Sequence, residues 1–298
     1  MAQPARATSR LAMTDNLRKH YLAPKDLLAL WIGGGMCALF AIAALLAPFI
    51  SPHDPLEQDL INSLLPPVWM PDNDPAFLLG TDSLGRDLLS RLIHGARIAL
   101  TVAVLAAGFA AVLGTTLGLL AGYYGGWVDT LISRLVDIWM SFPAVLLSIV
   151  LVAVLGTGLH SVIIAIGIID WTRFCRVIRA ETLVQKNRDY INAAKSFGLR
   201  GGTILWRELL PNVFPLLCTL FFLEMGIAVV VEAILSFVGL SLSSDTPTWG
   251  GLIEEGRQYL HEAWWVMLAP TLCIIVLVLS LNTFGEALRN LLDPVMRQ

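Results

Sequence analysis

A bilayer core about 30 Å thick is crossed by roughly twenty apolar residues rising about 1.5 Å each. Runs near that length recur along this 298-residue chain, at 27–50, 98–122, 131–155, 213–240 and 265–286. A sixth, at 161–176, is apolar only as far as Ile169, so it must end at the interface on Trp171 or lean on neighbouring helices. In hydrocarbon each backbone amide needs a partner inside its own helix or a closed barrel, so apolar runs of this length define an all-α integral membrane protein with six transmembrane helices. Composition agrees. Charged residues make up 14% of the chain and mean hydropathy is +0.71, too apolar for a surface that faces water throughout.

Six crossings put both termini on one side, and the basic residues choose the side. Arg6, Arg10, Arg18, Lys19 and Lys25 precede the first run, Arg134 follows the second, eight basic residues from Arg173 to Arg207 follow the fourth, and Arg289 and Arg297 end the chain. Sixteen of the 20 lysines and arginines therefore share one face. The other face carries Arg86, Arg91, Arg97 and Arg257 among eleven acids, including Asp54, Glu57, Asp72, Asp74, Glu254 and Glu262. Both tails, 1–26 and 287–298, are thus expected in the cytoplasm together with the polar segment 177–212, while 51–97 and 241–264 face outward.

Several function classes lose support at this point. A net charge of −3 gives no reason to expect nucleic acid. Ala41-Ile42-Ala43 imitates a leader cleavage site, but the basic lead is long and the apolar run continues to Ile50, which reads as an uncleaved helix. Cys37, Cys175, Cys218 and Cys273 have no short paired spacing and read as free buried thiols, so no metal site is expected. His53, His94, His160 and His261 fall at or outside the ends of the runs, and no serine, histidine and acid gather for nucleophilic work. There is no phosphate loop either, because Lys195-Ser196 lacks the preceding glycines.

Local signals add detail. Segment 51–97 is rich in proline and aspartate as far as Gly80; beyond it, Leu84, Leu88 and Leu92 recur at helical spacing behind capping residues, predicting a short amphipathic helix on the outer face. Trp264 and Trp265 suit an aromatic belt. Gly114, Gly118 and Gly122 form a repeated small-residue pattern that predicts close helix contact. Pro143 predicts a kink in the third span. Arg179 to Asn212 reads as a helix, a turn and a helix, broken at Gly198 and again at Gly201-Gly202.

Charges inside the spans are expensive and mark function or tight pairing. Glu224 and Glu232 share a broad face of the fifth span, and Asp170 lies in the fourth. These three either line a translocation route, meeting the charged ends of a peptide, or fix packing, with Glu232 paired to Arg97 or a backbone amide. Asp137 is expected to pair with Arg134 one turn before it, with a substrate role as the alternative.

The segment from Tyr190 through Asn192, Ala193 and Ala194 to Gly198 and Leu199, followed by Leu210-Pro211, resembles the coupling-loop signature of ABC-importer permeases. Asn192 stands where the signature has an acid, and Glu208 where it has an aliphatic residue. Small alanines would let a short helix pack into a partner's cleft, and glycine would let the backbone turn away. A second stretch, Gly80-Thr81-Asp82-Ser83-Leu84-Gly85-Arg86-Asp87 with Arg91, is similar to the external segment of the dipeptide, oligopeptide and nickel importer family, specifically its second, C-type permease subunit. Val231 to Leu240 with Pro247-Thr248-Trp249-Gly250, and Asn282, Gly285, Leu288-Arg289 and Leu292-Asp293-Pro294, match further motifs of that subunit; Ser241 to Asp245 depart from it.

The resemblance implies the six-helix type I importer fold in the bacterial inner membrane. It implies a heterodimer with a homologous permease, two ATP-binding subunits that carry the ATP and magnesium, and a periplasmic or lipid-anchored binding protein. This chain would bind no cofactor and catalyse nothing. Short peptides are the implied cargo, with glutathione-like molecules or chelated metals as other members of the same class. An ion-coupled secondary carrier is the rival reading. It rests on Glu224, Glu232 and Asp170, and is opposed by the absence of an inverted repeat and by the large basic hairpin.

Overall fold

The structure, a computed structural model, describes residues 24–242 and 246–292, with side chains from residue 27 onward. Arg6, Arg10, Arg18 and Lys19, the side chain of Lys25, the departure at 243–245, and Asp293-Pro294 with Arg297 lie outside the described residues.

Nine helices organise the described residues: α1 (Pro24–Leu45), α2 (Leu88–Tyr124), α3 (Gly126–Met140), α4 (Ala144–Leu155), α5 (Leu159–Gln185), α6 (Asp189–Ser196), α7 (Leu210–Phe237), α8 (Trp249–Gln258) and α9 (Trp264–Leu292), with one- or two-turn pieces between them. Among these residues no β-strand forms, only a single bridge between Thr81 and Asp87. Four continuous helices are long and apolar enough to cross a bilayer: Leu27–Leu45, Leu88–Tyr124, Gly201–Phe237 and Trp264–Leu292. α3 and α4 pass the same test as a pair bent by 87°, and count as a fifth crossing if the pair is one span.

Several expectations are corrected by the chain's own chemistry. The separate amphipathic helix on the outer face does not form: Leu88 opens α2, which runs 37 residues, about 55 Å, without a break. Asp87 caps it, accepting from Ser90 N at 2.9 Å, so the predicted cap is real but begins the long helix. The kink at Pro143 is a full corner, because proline fixes its own φ and holds the preceding residue out of the helical region. Gly201-Gly202 does not break the hairpin but starts the helical stretch that continues into α7. A π-turn over Ile204–Leu209 widens the helix just ahead of Pro211, where a regular turn would meet the proline ring. α5 does not stop at Trp171. It continues to Gln185, carries Asp170, Arg173, Arg176, Arg179 and Glu181, and lies against its neighbours with Trp171 buried.

What holds α5 in place is the glycine pattern of α2. Gly114, Gly118 and Gly122 face α5 so closely that an added Cβ on Gly118 would sit 2.7 Å from the Cys175 carbonyl oxygen, and one on Gly122 would sit 2.6 Å from Thr182 Cβ. In lipid, backbone approach of this kind supplies the dispersion contact that the hydrophobic effect supplies in water. α9 joins α7, and α1 leans on α9 with Gly33 against the backbone of Phe284. One apolar core runs through α2, α4, α5, α7, α8 and α9; a smaller one at the opposite end joins Leu119, Ile178, Ile191, Ala194, Ile204, Leu205, Leu209 and Val213.

Candidate functional site

The Gly80–Asp87 motif builds a compact cap over one end of the bundle. Asp82, fully buried, accepts from the amides of Leu84 and Arg86 at 2.9 and 3.0 Å, from Arg86 Nε at 2.7 Å, and from Arg91 Nη1. Glu255 of α8 closes the group, taking the Ser83 amide at 3.1 Å, the Ser83 hydroxyl at 2.5 Å, Arg86 Nη2 at 3.1 Å and Arg91 Nη1 at 3.0 Å. Burial pushes the Glu255 carboxyl up, but Arg91, Ser83 and Arg86 together outweigh it and hold the group below its ordinary value. Thr81 Oγ1 donates to the Asn62 carbonyl at 2.5 Å and accepts from Leu65 N at 2.8 Å, tying the motif to the proline-rich segment. Gly85 sits at φ +72° against the Asp59 carbonyl, where any side chain would overlap it. α8 is anchored by Trp249, whose Nε1 donates to the Leu92 carbonyl at 3.0 Å while its ring covers Gly95.

At the opposite end α6 carries the predicted Ala-Ala/Gly segment. Its close is a Schellman turn: Gly198 N donates to the Lys195 carbonyl at 2.9 Å and Leu199 N to the Ala194 carbonyl at 3.2 Å, with Gly198 at φ +77° and open space around it. The two alanines part company. Ile191 and Ala194 turn inward against Leu119 and Ile178, whereas Asn192, Ala193, Ser196 and Phe197 face outward. Tyr190, part-buried, donates its hydroxyl to Gln185 Oε1 at 3.1 Å, and Leu199 and Leu210 pack on the same small core. Burial first, then Glu208, raises the Tyr190 phenol above its ordinary value.

Between these ends the intramembrane charges find partners that the sequence did not name. Arg173, Arg176 and Arg179 rise along α5 at three-residue steps. Arg173 Nη1 donates to Glu224 Oε2 at 3.2 Å, Arg176 Nη2 to Asp137 Oδ1 at 3.3 Å, and Arg179 grips Asp129 with two nitrogens, Nη2 to Oδ2 at 2.7 Å. Asp137 therefore pairs across helices and not with Arg134. Among the described residues Glu232 pairs with neither Arg97 nor a backbone amide: it accepts from the hydroxyls of Ser236 at 2.6 Å and Ser241 at 3.3 Å, buried on the inner side of α7. Trp265 is likewise buried, leaving Trp264 as the exposed ring of the expected belt pair.

Asp170 and Arg173 line a cleft of about 470 Å³ between α4, α5, α7 and α9, together with Asn282 and aliphatic side chains such as Ile227 and Val278. Glu224 stands behind Arg173, so two of the three acids singled out in the sequence converge here and Glu232 lies apart. The sequence reading missed Arg173, Asn282 and Glu255 as site residues. The i, i+3 spacing of Asp170 and Arg173 was a signal that could have been used; nothing local marks Glu255, whose partners lie more than 160 positions away.

The geometry defines a class, a helical membrane bundle with a charged cap at one end and a short amphipathic helix closing a basic hairpin at the other. The family description "Binding-protein-dependent transport system inner membrane component" matches residues 114–298, and "N-terminal TM domain of oligopeptide transport permease C" matches residues 29–67. The chain is 40% identical over 259 residues to the di/tripeptide transport system permease protein DppC of Pseudomonas aeruginosa, covering 87% of this chain and 86% of that one. It is 37% identical over 270 residues to the glutathione transport system permease protein GsiD of Pectobacterium atrosepticum, covering 89% and 87%. In fold it is similar to the MetNI methionine ABC transporter solved in inward-facing conformations, with TM-score 0.58 and 20% identity over 69% of this chain and 97% of that one. The chain belongs to the family of binding-protein-dependent transport system inner membrane components, as a permease of the dipeptide and oligopeptide C type.

Proposed function

We propose that this chain forms half of the translocation path of an ABC importer for short peptides, with α6 as the element through which ATPase partners drive it. The observation that carries the reading is the two-sided geometry of α6. Ile191 and Ala194 lock it to α2 and α5 through Leu119 and Ile178, while Asn192, Ala193, Ser196 and Phe197 are left for a partner. Force applied to the outer side passes into α5 at Ile178, and the same helix carries Arg173 and Asp170 about 8 and 12 Å further along. The relatives' names, di/tripeptide and glutathione systems, support a peptide cargo.

In this reading a homologous permease completes a heterodimer, two ATP-binding subunits hold ATP and magnesium, and an external binding protein docks near the cap. The distribution of basic residues supports a cytoplasmic α6 and tails, and the pairing of α5's charges against neighbouring helices supports its use as the sixth crossing.

The test uses the complete transporter in proteoliposomes. Ala193→Glu, on the outward side of α6, should leave assembly intact and abolish peptide uptake together with the ATPase stimulation given by the loaded binding protein. Undiminished uptake by that variant removes the coupling role. Collapse of the proton gradient at constant ATP should leave uptake unchanged, whereas an ion-coupled carrier would stop. Labelling of Ser196→Cys from the outer medium would overturn the orientation.

A further inference from the structure

The cleft is almost wholly aliphatic, and its polar side chains gather at one place: Asp170 and Arg173 on α5 and Asn282 on α9. Arg173 is engaged with Glu224, which is itself buried. Asp170 is buried as well and lies within the field of the same guanidinium. One guanidinium thus faces two carboxyl groups, whose lone pairs outnumber its five N–H donors and whose acids outnumber the single base. Asn282 adds to the imbalance, because its side-chain oxygen is buried without a hydrogen-bond partner. Asn282 lines the cleft while this oxygen lies beside Gly226, where an added Cβ would stand 3.5 Å from it, so a turn of the amide about its terminal torsion presents the oxygen to a ligand. Unpaired acceptors in a low-dielectric site are costly and are retained where something supplies the donors.

We propose that this end of the cleft binds the terminal ammonium group of the passing peptide, held by the Asp170 carboxylate and by the Asn282 oxygen once its amide turns toward the ligand. A primary ammonium carries three donors and one positive charge, which answers both deficits at once. A carboxylate would fit worse, since Arg173 is already paired and the groups left over are acceptors. The cleft volume suits a ligand of dipeptide size, and its aliphatic walls accept side chains without discriminating among them. The inference rests on the peptide-import reading and adds to it a contact inside the membrane, downstream of the binding protein.

The experiment compares wild type, Asp170→Asn, Asn282→Leu and Asn282→Asp in the complete transporter with its binding protein, using a radiolabelled dipeptide with a free amino terminus. Peptide moved per ATP hydrolysed is the readout, because a merely structural defect lowers ATPase and assembly along with transport. Asp170→Asn and Asn282→Leu should each lower that ratio by about tenfold, the scale of one lost charge-assisted hydrogen bond, with stimulated ATPase within about twofold of wild type. Asn282→Asp, which keeps the acceptor, should retain it. If Asp170→Asn does not assemble, Asn282→Leu alone decides. A wild-type ratio in Asn282→Leu overturns the site. So does a wild-type ratio in Asp170→Asn, which would mean a proton already balances that carboxylate. A defect that disappears when choline replaces sodium overturns it in favour of an inorganic cation. Should the wild-type transporter move no dipeptide at all, the peptide reading itself falls, a result distinct from each of these.

Discussion

The cap and the cleft both set arginines against carboxylates in buried surroundings, yet they are opposites in how completely those groups are satisfied. In the cap, Arg86 and Arg91 balance Asp82 and Glu255, and all four carboxylate oxygens accept bonds. Of its buried polar atoms, Arg91 Nε is left over among the described residues. In the cleft, Arg173 makes one 3.2 Å contact to Glu224, and the Asn282 oxygen has nothing. A cluster whose acceptors are saturated has little to offer a cationic ligand and serves to fix geometry; one with open acceptors stays available to something that arrives. The difference therefore separates a structural lock from a working surface made with the same residue types.

The comparison breaks if the two clusters respond alike when a carboxylate is removed. Asp82→Ala strands two buried guanidiniums on Glu255 alone, and should cost about 3–5 kcal/mol of fold stability, the usual penalty for opening a buried ion group from one side. Glu224→Gln should cost less, about 1–2 kcal/mol, because the Arg173 side chain is 36% exposed toward the cleft and is not left in a sealed interior. Thermal unfolding of the detergent-solubilised complex measures both. A Glu224→Gln penalty equal to or above that of Asp82→Ala would make the cleft cluster a lock as well.

Much of this contrast could not be read along the chain. The spans were legible because bilayer thickness imposes a length that composition must satisfy, and 27–50, 98–122, 213–240 and 265–286 overlap α1, α2, α7 and α9. Their ends were not. Leu88 begins α2 ten residues before the apolar run, since a capped helix extends into polar territory once Asp87 and Trp249 hold it. α5 was shortened in the reading because hydropathy counts charges against a span, whereas its arginines are paired laterally with Asp129, Asp137 and Glu224. Gly114, Gly118 and Gly122 announced a close contact but not the partner, and the segment around Ala193 was located without revealing that Ala194 faces the other way. Motifs report local shape; pairings across 50 to 170 positions depend on the packed bundle.

Within the cap the charge of Glu255 can be separated from its shape by pH. Its folded value lies below the ordinary carboxylate value, so its stabilising contribution is complete above the unfolded value and is lost as pH falls through the lower, folded one. Wild type should accordingly lose stability on acidification from about pH 5 downward. Glu255→Gln, which keeps most of the outline, should be less stable at pH 7 by a smaller margin than either variant above, and its unfolding temperature should vary less over the same acid range. Parallel curves for the two proteins would show that Glu255 holds α8 to the cap by packing alone.

The smallest effect on the fold belongs to Phe197, and it extends the comparison to the far end of the molecule. The ring is 83% exposed beside the Schellman turn of α6, and the described structure gives it no packing partner in the small core there. Phe197→Ala should therefore change stability by no more than about 0.5 kcal/mol, as surface substitutions do. A large exposed aromatic ring beside the outward side of α6 is the kind of side chain that partner interfaces bury as an anchor. In the proposed importer the cover is the ATPase subunit, so the same substitution should weaken co-purification of that subunit and lower ATP-driven uptake severalfold. Loss of stability without loss of uptake would mean that Phe197 belongs with the saturated, structural side of the contrast, and that the partner grips α6 elsewhere.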